Sequence, residues 1–201
     1  MQNLRIDNTE DLRERTLVET FGALDGSYGP NLECKYYPCH FEGMDCSFCF
    51  CPFYPCLNYD LGGELKTAGE KYVWDCTNCW WIHEDSNVEE VIVSLSKYSR
   101  QKLIEEDWHF YNAIIQELYY GEELGEGFNE VYNLVPAMFK DKECEKVDDA
   151  KLLCVKLGDF VIEEVVEVES VDEVDYGILI PSKQDGKLYG SIDGQPVVCK
   201  L

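Results

Sequence analysis

The chain is poor in basic residues. Its 17 Lys and Arg stand against 40 Asp and Glu, which gives a formal net charge of -23 at pH 7. Nucleic-acid binding depends on Lys and Arg clustered at phosphates, so this balance argues against direct contact with nucleic acid. It also disfavours binding to an anionic membrane surface. The charge instead fits a solvated acidic surface, or an acidic face that docks a basic partner.

Long apolar runs are also missing. No window approaches the roughly 18 apolar residues that a membrane-spanning helix needs, which argues against membrane insertion. Residues 1–15 contain neither the apolar stretch nor the small-residue cleavage site of a signal peptide. We therefore expect a cytoplasmic protein with reduced thiols.

The common enzyme signatures are absent. The sequence contains no phosphate-binding loop, no G-x-G-x-x-G, no G-x-S-x-G and no H-E-x-x-H. Its acidic residues lie in runs such as Glu122-Glu123 and Glu163-Glu164, not as isolated carboxylates in apolar surroundings. A non-catalytic role is therefore expected ahead of an enzymatic one.

What the chain does contain is a dense group of cysteines. Eight of its 11 cysteines lie between residues 34 and 83. Packing gives no reason to crowd thiols so tightly, so they must be bonded to one another or to metal. A reducing compartment and the short Cys49-Phe50-Cys51 spacing favour metal. The candidate ligands are Cys34, Cys39, His40, Cys46, Cys49, Cys51, Cys56, Cys76, Cys79 and His83.

The spacing of these residues suits tetrahedral metal sites. Thiolates three positions apart can hold one metal from a tight turn, and a distant pair can complete the site. Cys46 and Cys49 with Cys76 and Cys79 would make a conventional zinc site of this kind. The ten candidates suffice for two four-coordinate centres.

The identity of the metal stays open between zinc and an iron–sulfur cluster. Cys51-Pro52 has the form of a cluster ligand followed by proline, and more thiols are present than one structural site needs. These two observations favour a cluster over zinc by a small margin. His40 and His83 are expected either to bind the metal or to donate hydrogen bonds to thiolate sulfur.

The order of the patterns predicts an α+β protein. A small metal-centred cysteine-rich module is followed by a helical segment and then by a small antiparallel β-sheet or partial barrel. The expected divisions are an N-terminal lead-in with a short helix, the module, the helical segment and the β domain, at residues 1–30, 31–86, 87–143 and 144–201.

Helices are expected at four places. The first covers residues 8–21, and the second begins at a capping box formed by Ser86 and Glu89. A single long helix is predicted over residues 100–120, and a short one over 129–140.

Five strands are expected after residue 144, at residues 151–157, 160–169, 176–180, 187–192 and 196–201. Cys154 and Cys199 fall in these strands and are expected to be ordinary buried thiols. His109, between Trp108 and Phe110, is expected to be a packed or surface histidine.

The segment YYPCHFEGMDCSFCFCPFYPC, followed by DCTNCWWIH, resembles the cysteine-rich small domain of archaeal proteins. That domain occurs in short proteins and as an extension of threonine-phosphate decarboxylases of cobamide biosynthesis in methanogens. The resemblance covers all ten candidate ligands and Pro52, and the chain has Ile82-His83 where the family often has Pro-His. No relative is recognised for residues 87–201.

The resemblance implies metal binding and a link to corrinoid metabolism. We therefore expect a metal-binding, redox- or oxygen-responsive interaction protein that docks onto a larger complex of methanogenic metabolism, with a corrinoid-dependent methyltransferase as one candidate. The alternative is an accessory enzyme or electron carrier of cobamide biosynthesis.

Overall fold

The computed structural model describes residues 9–120, 152–158, 161–169, 173–181, 186–193 and 195–200. Helices and two antiparallel sheets make the protein α+β, as predicted. Its helices are α1 Thr9–Leu24, α2 Asp85–Ser96, α3 Arg100–Glu105 and α4 Trp108–Tyr120. Its strands are β1 Glu64–Ala68, β2 Lys71–Asp75, β3 Leu152–Gly158, β4 Val161–Val168, β5 Asp175–Pro181, β6 Gly186–Ile192 and β7 Gln195–Lys200. None of the described helices has the length and apolar character to cross a membrane.

The predicted N-terminal helix is confirmed, and it continues to residue 24. Arg13 of α1 donates to the carbonyl oxygens of Leu103 at 2.9 Å and Glu106 at 3.2 Å. Its guanidinium also lies 4.7 Å from the centre of the Tyr111 ring, in cation–π contact. Arg13 thus connects α1 to the junction of α3 and α4.

Helix α2 is confirmed, but the predicted capping box at Ser86 is wrong. The chain enters the helix directly from a 3-10 turn, Trp81–His83, and Glu84 is the capping residue. The backbone amides of Asn87 and Val88 already bond the Glu84 carbonyl at 2.9 and 3.0 Å. Ser86 therefore lies inside the first turn and is not the N-cap residue.

The single helix predicted over residues 100–120 is two helices. Glu106 has an extended backbone, with ψ of 148°, and ends α3. Asp107 then accepts a hydrogen bond from the amide of Phe110 at 3.3 Å, as a residue at a helix N-terminus does. An apolar period of 3.6 continues across the break, which is why the pattern alone misses it. The helix predicted over 129–140 lies outside the described residues.

All five predicted strands are confirmed, and they form one antiparallel sheet in the order β4-β3-β7-β6-β5. Within the described strands, β4 and β5 are the two edges and do not pair with each other. The sheet is therefore open, and the partial barrel is not seen.

Cys154 and Cys199 correct another expectation. They lie directly opposite each other on β3 and β7 and form a disulfide. The sequence-based prediction of burial is confirmed, since both side chains are fully buried, but the prediction of free thiols is wrong. The disulfide follows from strand register, which neither cysteine reveals by its local sequence.

The module holds a regular element that the sequence reading missed, the β1-β2 hairpin. The strands pair from Glu64 opposite Asp75 to Ala68 opposite Lys71. Gly69 makes the turn with a φ of 69°, a left-handed value that suits glycine. Trp74 is the buried residue of β2.

One main core joins the module, the helices and the sheet. It includes aromatic residues of the module, apolar residues of the helices and apolar residues of β3 and β7. Examples are Phe48, Phe53 and Trp74, then Leu95, Leu103 and Ile115, then Val155, Leu157 and Val198. The later half of the cysteine module is therefore built into the interior of the protein.

Candidate metal centres

The eight cysteines of the module fall into two copies of one pattern. Residues 34–39, CKYYPC, and residues 51–56, CPFYPC, share the sequence Cys-x2-Tyr-Pro-Cys. Each is followed by a Cys-x2-Cys pair, at residues 46–49 and 76–79. We name these segments the YPC motifs and the knuckles. Sequence reasoning found the knuckles but missed the duplicated YPC motif, which a self-alignment would have shown.

Both YPC motifs fold into the same turn. The amide of Tyr37 donates to the Cys34 carbonyl at 3.0 Å, and the amide of Tyr54 donates to the Cys51 carbonyl at 3.2 Å. This i to i+3 bond brings the two ends of each motif together. The first and last thiols of each motif are thereby held near each other.

The tyrosine of each motif also joins it to the chain that leads into a knuckle. The Tyr37 hydroxyl accepts a hydrogen bond from the amide of Gly43 at 2.9 Å, just before the first knuckle. The Tyr54 hydroxyl is hydrogen-bonded by the backbone of Trp74, just before the second knuckle. Each motif is thus connected to one knuckle, which divides the cysteines into two groups.

Group 1 consists of Cys34, Cys39, Cys46 and Cys49. Burial, the Glu19 carboxylate and the other three thiols of the group together raise the pKa of Cys49 to about 12, with burial as the largest cause. Burial also raises the pKa of Cys39, with added contributions from Cys46 and Cys34. Cys39 and Cys49 are exposed, so water weakens these effects compared with a fully buried site.

Group 2 consists of Cys51, Cys56, Cys76 and Cys79. Burial raises the pKa of Cys51 and Cys76 far above the ordinary value, and neighbouring thiols of the same group, Cys56 first, raise it further. Burial raises the pKa of Cys79 to about 12, again with a contribution from Cys56. A thiol in such surroundings stays protonated unless a cation offsets the cost of burying its charge.

Backbone amides point at the sulfur atoms of group 2. The amide of Phe53 donates to Cys51, and the amide of Asn58 donates to the sulfur of Cys56 at 3.5 Å. The 3-10 turn after the second knuckle supplies two further amides to Cys79. Such donors favour the thiolate form, and they are a usual feature around metal-bound thiolates.

The donor set of each group suits a metal that prefers sulfur. Four thiolates are the ordinary ligands of structural zinc and of iron–sulfur clusters. Within the described residues, however, no three His, Cys, Asp or Glu side chains converge closely enough to hold an ion as they stand. The segments that carry the thiols of each group are linked by hydrogen bonds, and thiols of each group raise the pKa of others in it. Both effects are compatible with distances longer than a coordination bond. Ion binding would require each group to close further.

His40 and His83 stack on each other, with ring centres 4.6 Å apart and planes inclined by 25°. Nδ1 of His83 donates to the Asp45 carbonyl at 2.8 Å, because a carbonyl oxygen can only accept. Nδ1 of His40 is buried and has no hydrogen-bond partner among the described residues. His40 follows Cys39 of group 1 and is hydrogen-bonded to the backbone of Thr77 in the second knuckle. The pair therefore lies between the two groups.

Glu19 is a site residue that sequence reasoning did not find. The two groups are separated by a single residue, Phe50, whose amide donates to the Glu19 carboxylate at 2.6 Å. Burial raises the pKa of Glu19 to about 6, although this hydrogen bond acts in the opposite direction. Helix α1 thus holds the link between the groups. No local pattern marks Glu19 among the many acids of the chain.

Helix α4 holds the backbone of group 2. The indole of Trp108 donates to the Pro55 carbonyl at 2.9 Å, and the amide of Asn112 donates to the Cys56 carbonyl at 3.1 Å. Gln116 in turn donates to the Asn112 side chain at 3.4 Å. Asn112 and Gln116 are each only 1% exposed, so these bonds are shielded from water. The side chain of His109 and all of Cys144 lie outside the described residues.

The second knuckle rests against a glycine. Gly62 has a φ of 88°, and a Cβ at this position would lie 2.4 Å from the carbonyl oxygen of Asn78. Asn78 lies between the two cysteines of the knuckle. The close approach therefore requires the absence of a side chain at residue 62.

Comparison with known families identifies this region. The family model of the cysteine-rich small domain matches residues 27–105, which include both groups, α2 and α3. The chain therefore carries a cysteine-rich small domain, as the resemblance predicts.

Two relatives from methanogens share this region. A probable cobalt-factor III C(17)-methyltransferase of Methanothermobacter thermautotrophicus is 52% identical over 67 residues, which are 33% of this chain and 18% of that protein. An uncharacterized protein of Methanocaldococcus jannaschii is 37% identical over 78 residues, 39% of this chain and 66% of that protein. The chain thus spans less than a fifth of the first relative and just under two thirds of the second. No solved structure matches the chain.

Proposed function

We propose that the cysteine-rich small domain binds two metal centres, one on each group of four thiols, and serves as an interaction protein in cobamide-related metabolism. The observation that carries the proposal is the duplicated pattern, in which each YPC motif is hydrogen-bonded to the segment before one knuckle. His40 and His83 stack between two complete sets of four sulfur ligands, so we assign them a supporting role.

Zinc and iron–sulfur clusters both fit this proposal. A bound centre supplies the positive charge that lets buried thiols ionise. The sequence favoured a cluster because it holds more thiols than one structural zinc site needs. Two groups of four thiols would fill two zinc sites, so that argument no longer applies. The two metals are therefore equal candidates, and metal analysis separates them.

The link to cobamide-related metabolism comes from the methyltransferase relative. The similar segment is 18% of that protein, so we interpret the similarity as that of a shared module, not of a shared enzyme. We propose that this chain supplies the module in the cytoplasm to a separate partner, such as a methyltransferase that acts on a corrinoid. The net charge of -23 suits a partner with a basic docking face.

A second candidate, an electron carrier, is favoured by one observation. Cys49 and Cys51 belong to different groups but are separated by one residue, so their Cα atoms lie within about 7 Å of each other. Two iron–sulfur clusters bound there would be close neighbours. This candidate requires a reversible reduction at biological potentials, and zinc in both groups would eliminate it.

The first experiment is metal and acid-labile sulfide analysis of the anaerobically purified chain, with its visible spectrum. We expect either two zinc ions per chain, or iron together with sulfide. A variant with both Cys154 and Cys199 replaced by serine is the matched control, since it removes two cysteines outside the module. It should retain the wild-type metal content. A chain purified without metal contradicts the proposal.

Docking is tested by calorimetric titration against a cobalt-factor methyltransferase from a methanogen, under anoxic and oxic conditions. We expect binding that weakens as salt rises, because the attraction is electrostatic. Equal binding with and without oxygen would remove the redox-responsive part of the proposal. No binding in either condition would remove the partner assignment.

A further inference from the structure

We infer that the two centres differ in function: group 2 holds its ion permanently as part of the fold, and group 1 holds an exchangeable ion. This inference rests on the proposed function and assigns a separate role to each site. The ligands are the same in number, kind and motif. Any difference between the two centres must therefore arise from their surroundings.

Group 2 is part of the protein interior. Cys56 is only 7% exposed and belongs to the main core, and the other three thiols pack against that core. The core in turn includes Phe53, Trp74 and Ile82, which lie beside these cysteines in the sequence. A chelator can reach an ion in this setting only if the surrounding core opens.

The backbone of group 2 is also fixed from two sides. Trp108 and Asn112 of α4 bond the carbonyls of Pro55 and Cys56, while Gly62 packs against the second knuckle. These contacts hold the chain segments that carry the ligands, so an ion can leave only if the contacts open. Folding and ion retention are therefore coupled at group 2.

Group 1 lies at the surface. Cys39 and Cys49 are exposed, and the main core, as described, includes none of the four thiols of the group. Leu32 and Tyr36, on either side of Cys34, are 77% and 52% exposed. An incoming thiol or chelator can therefore approach an ion in group 1 without displacing the core.

The ligand expected at group 1 is a thiophilic divalent ion such as zinc or cadmium, because all four donors are sulfur. Exchange at an open tetrahedral thiolate site needs only that a new ligand reaches the ion. The surface placement of group 1 supplies that access. Phe48, between Cys46 and Cys49, belongs to the main core, but none of the four thiols of group 1 does, so we expect the fold to depend less on this ion than on the ion of group 2.

The test uses the full chain loaded anaerobically with zinc and mixed with excess chromogenic zinc chelator. We expect two zinc ions per chain, with one released at least about tenfold faster than the other, since release from group 2 requires local unfolding. Cys39→Ser and Cys56→Ser are matched variants, because each removes the last thiol of a YPC motif. Cys39→Ser should eliminate the fast phase and leave the fold unchanged by circular dichroism.

A second measurement needs no variant that might fail to fold. Zinc-loaded wild-type protein is treated with chelator and a thiol-alkylating reagent, and the modified cysteines are identified by mass spectrometry. We expect Cys39 and Cys49 to be modified during the fast phase, and the thiols of group 2 only during the slow phase.

The outcomes separate this inference from the proposed function. Release of both ions in one phase, or early alkylation of group 2, overturns the inference while two centres remain. Zinc uptake of fewer than two ions per chain overturns the two-centre proposal itself. Two phases with early alkylation of group 1 support both.

Discussion

Replacement of Gly62 by alanine tests directly whether the second knuckle is held in place by close packing. The new Cβ would lie 2.4 Å from the carbonyl oxygen of Asn78 and 3.0 Å from its carbonyl carbon. An ordinary contact is about 3.4 Å or longer, so the knuckle must retreat by roughly 1 Å. Cys76 and Cys79 belong to the same knuckle, and group 2 must move with it.

The expected loss of unfolding free energy in Gly62→Ala has two contributions. Gly62 has a φ of 88°, and placing alanine in this left-handed region costs about 1–2 kcal/mol. The steric overlap adds about 1–3 kcal/mol, as overpacking at a close contact usually does. We therefore expect Gly62→Ala to lower the free energy of unfolding by about 2–5 kcal/mol.

Gly69 offers a matched control within the same module. It also has a positive φ, 69°, but nothing lies within 4 Å of a Cβ built there. Gly69→Ala should therefore show only the backbone cost of about 1–2 kcal/mol. Both variants are loaded with zinc, unfolded in denaturant, and compared for zinc release. Equal stability and equal zinc release in the two variants would refute the packing of the knuckle on Gly62.

Three further predictions concern hydrogen bonds around the centres. Asn112→Ala removes the buried hydrogen bond to the Cys56 carbonyl and should cost about 1–3 kcal/mol of unfolding free energy. Glu117→Ala, on the exposed face of the same helix, should change that free energy by less than about 0.5 kcal/mol. Tyr54→Phe should accelerate the slow phase of zinc release, and Tyr37→Phe only the fast phase; the reverse pattern would contradict the pairing of motifs with knuckles. Glu19→Gln keeps an acceptor for the amide of Phe50 and should preserve the melting temperature, whereas Glu19→Ala should lower it. Equal melting temperatures in the two variants would contradict a positioning role for Glu19.

Much of the fold follows from local sequence pattern. The five strands after residue 144 and the apolar stripe of α2 were predicted because period-two and period-3.6 patterns need only nearby residues. The break at Glu106 was not predicted, because the same apolar period continues on both sides of it. The Cys154–Cys199 disulfide depends on the pairing of strands distant in sequence, which local pattern does not determine.

The candidate site was predicted in composition but not in arrangement. The density of the eight module cysteines predicts that they are metal ligands, which stays a prediction. Their two Cys-x2-Cys pairs look alike in sequence, and combining them in one site was the simplest expectation. The structure instead connects each pair to its own YPC motif, through the hydroxyls of Tyr37 and Tyr54. Those contacts depend on tertiary structure, as does the position of Glu19, which is 31 residues from its partner.

The most direct test of the two-centre assignment compares two double variants by metal content per chain. Cys39→Ser with Cys46→Ser removes two ligands from group 1, whereas Cys39→Ser with Cys56→Ser removes one ligand from each group. The assignment predicts that, as purified, the first variant holds about half of the metal of the wild type, since one complete four-thiolate site remains, and that the second holds almost none. Equal metal content in the two variants, or more metal in the second, would contradict it.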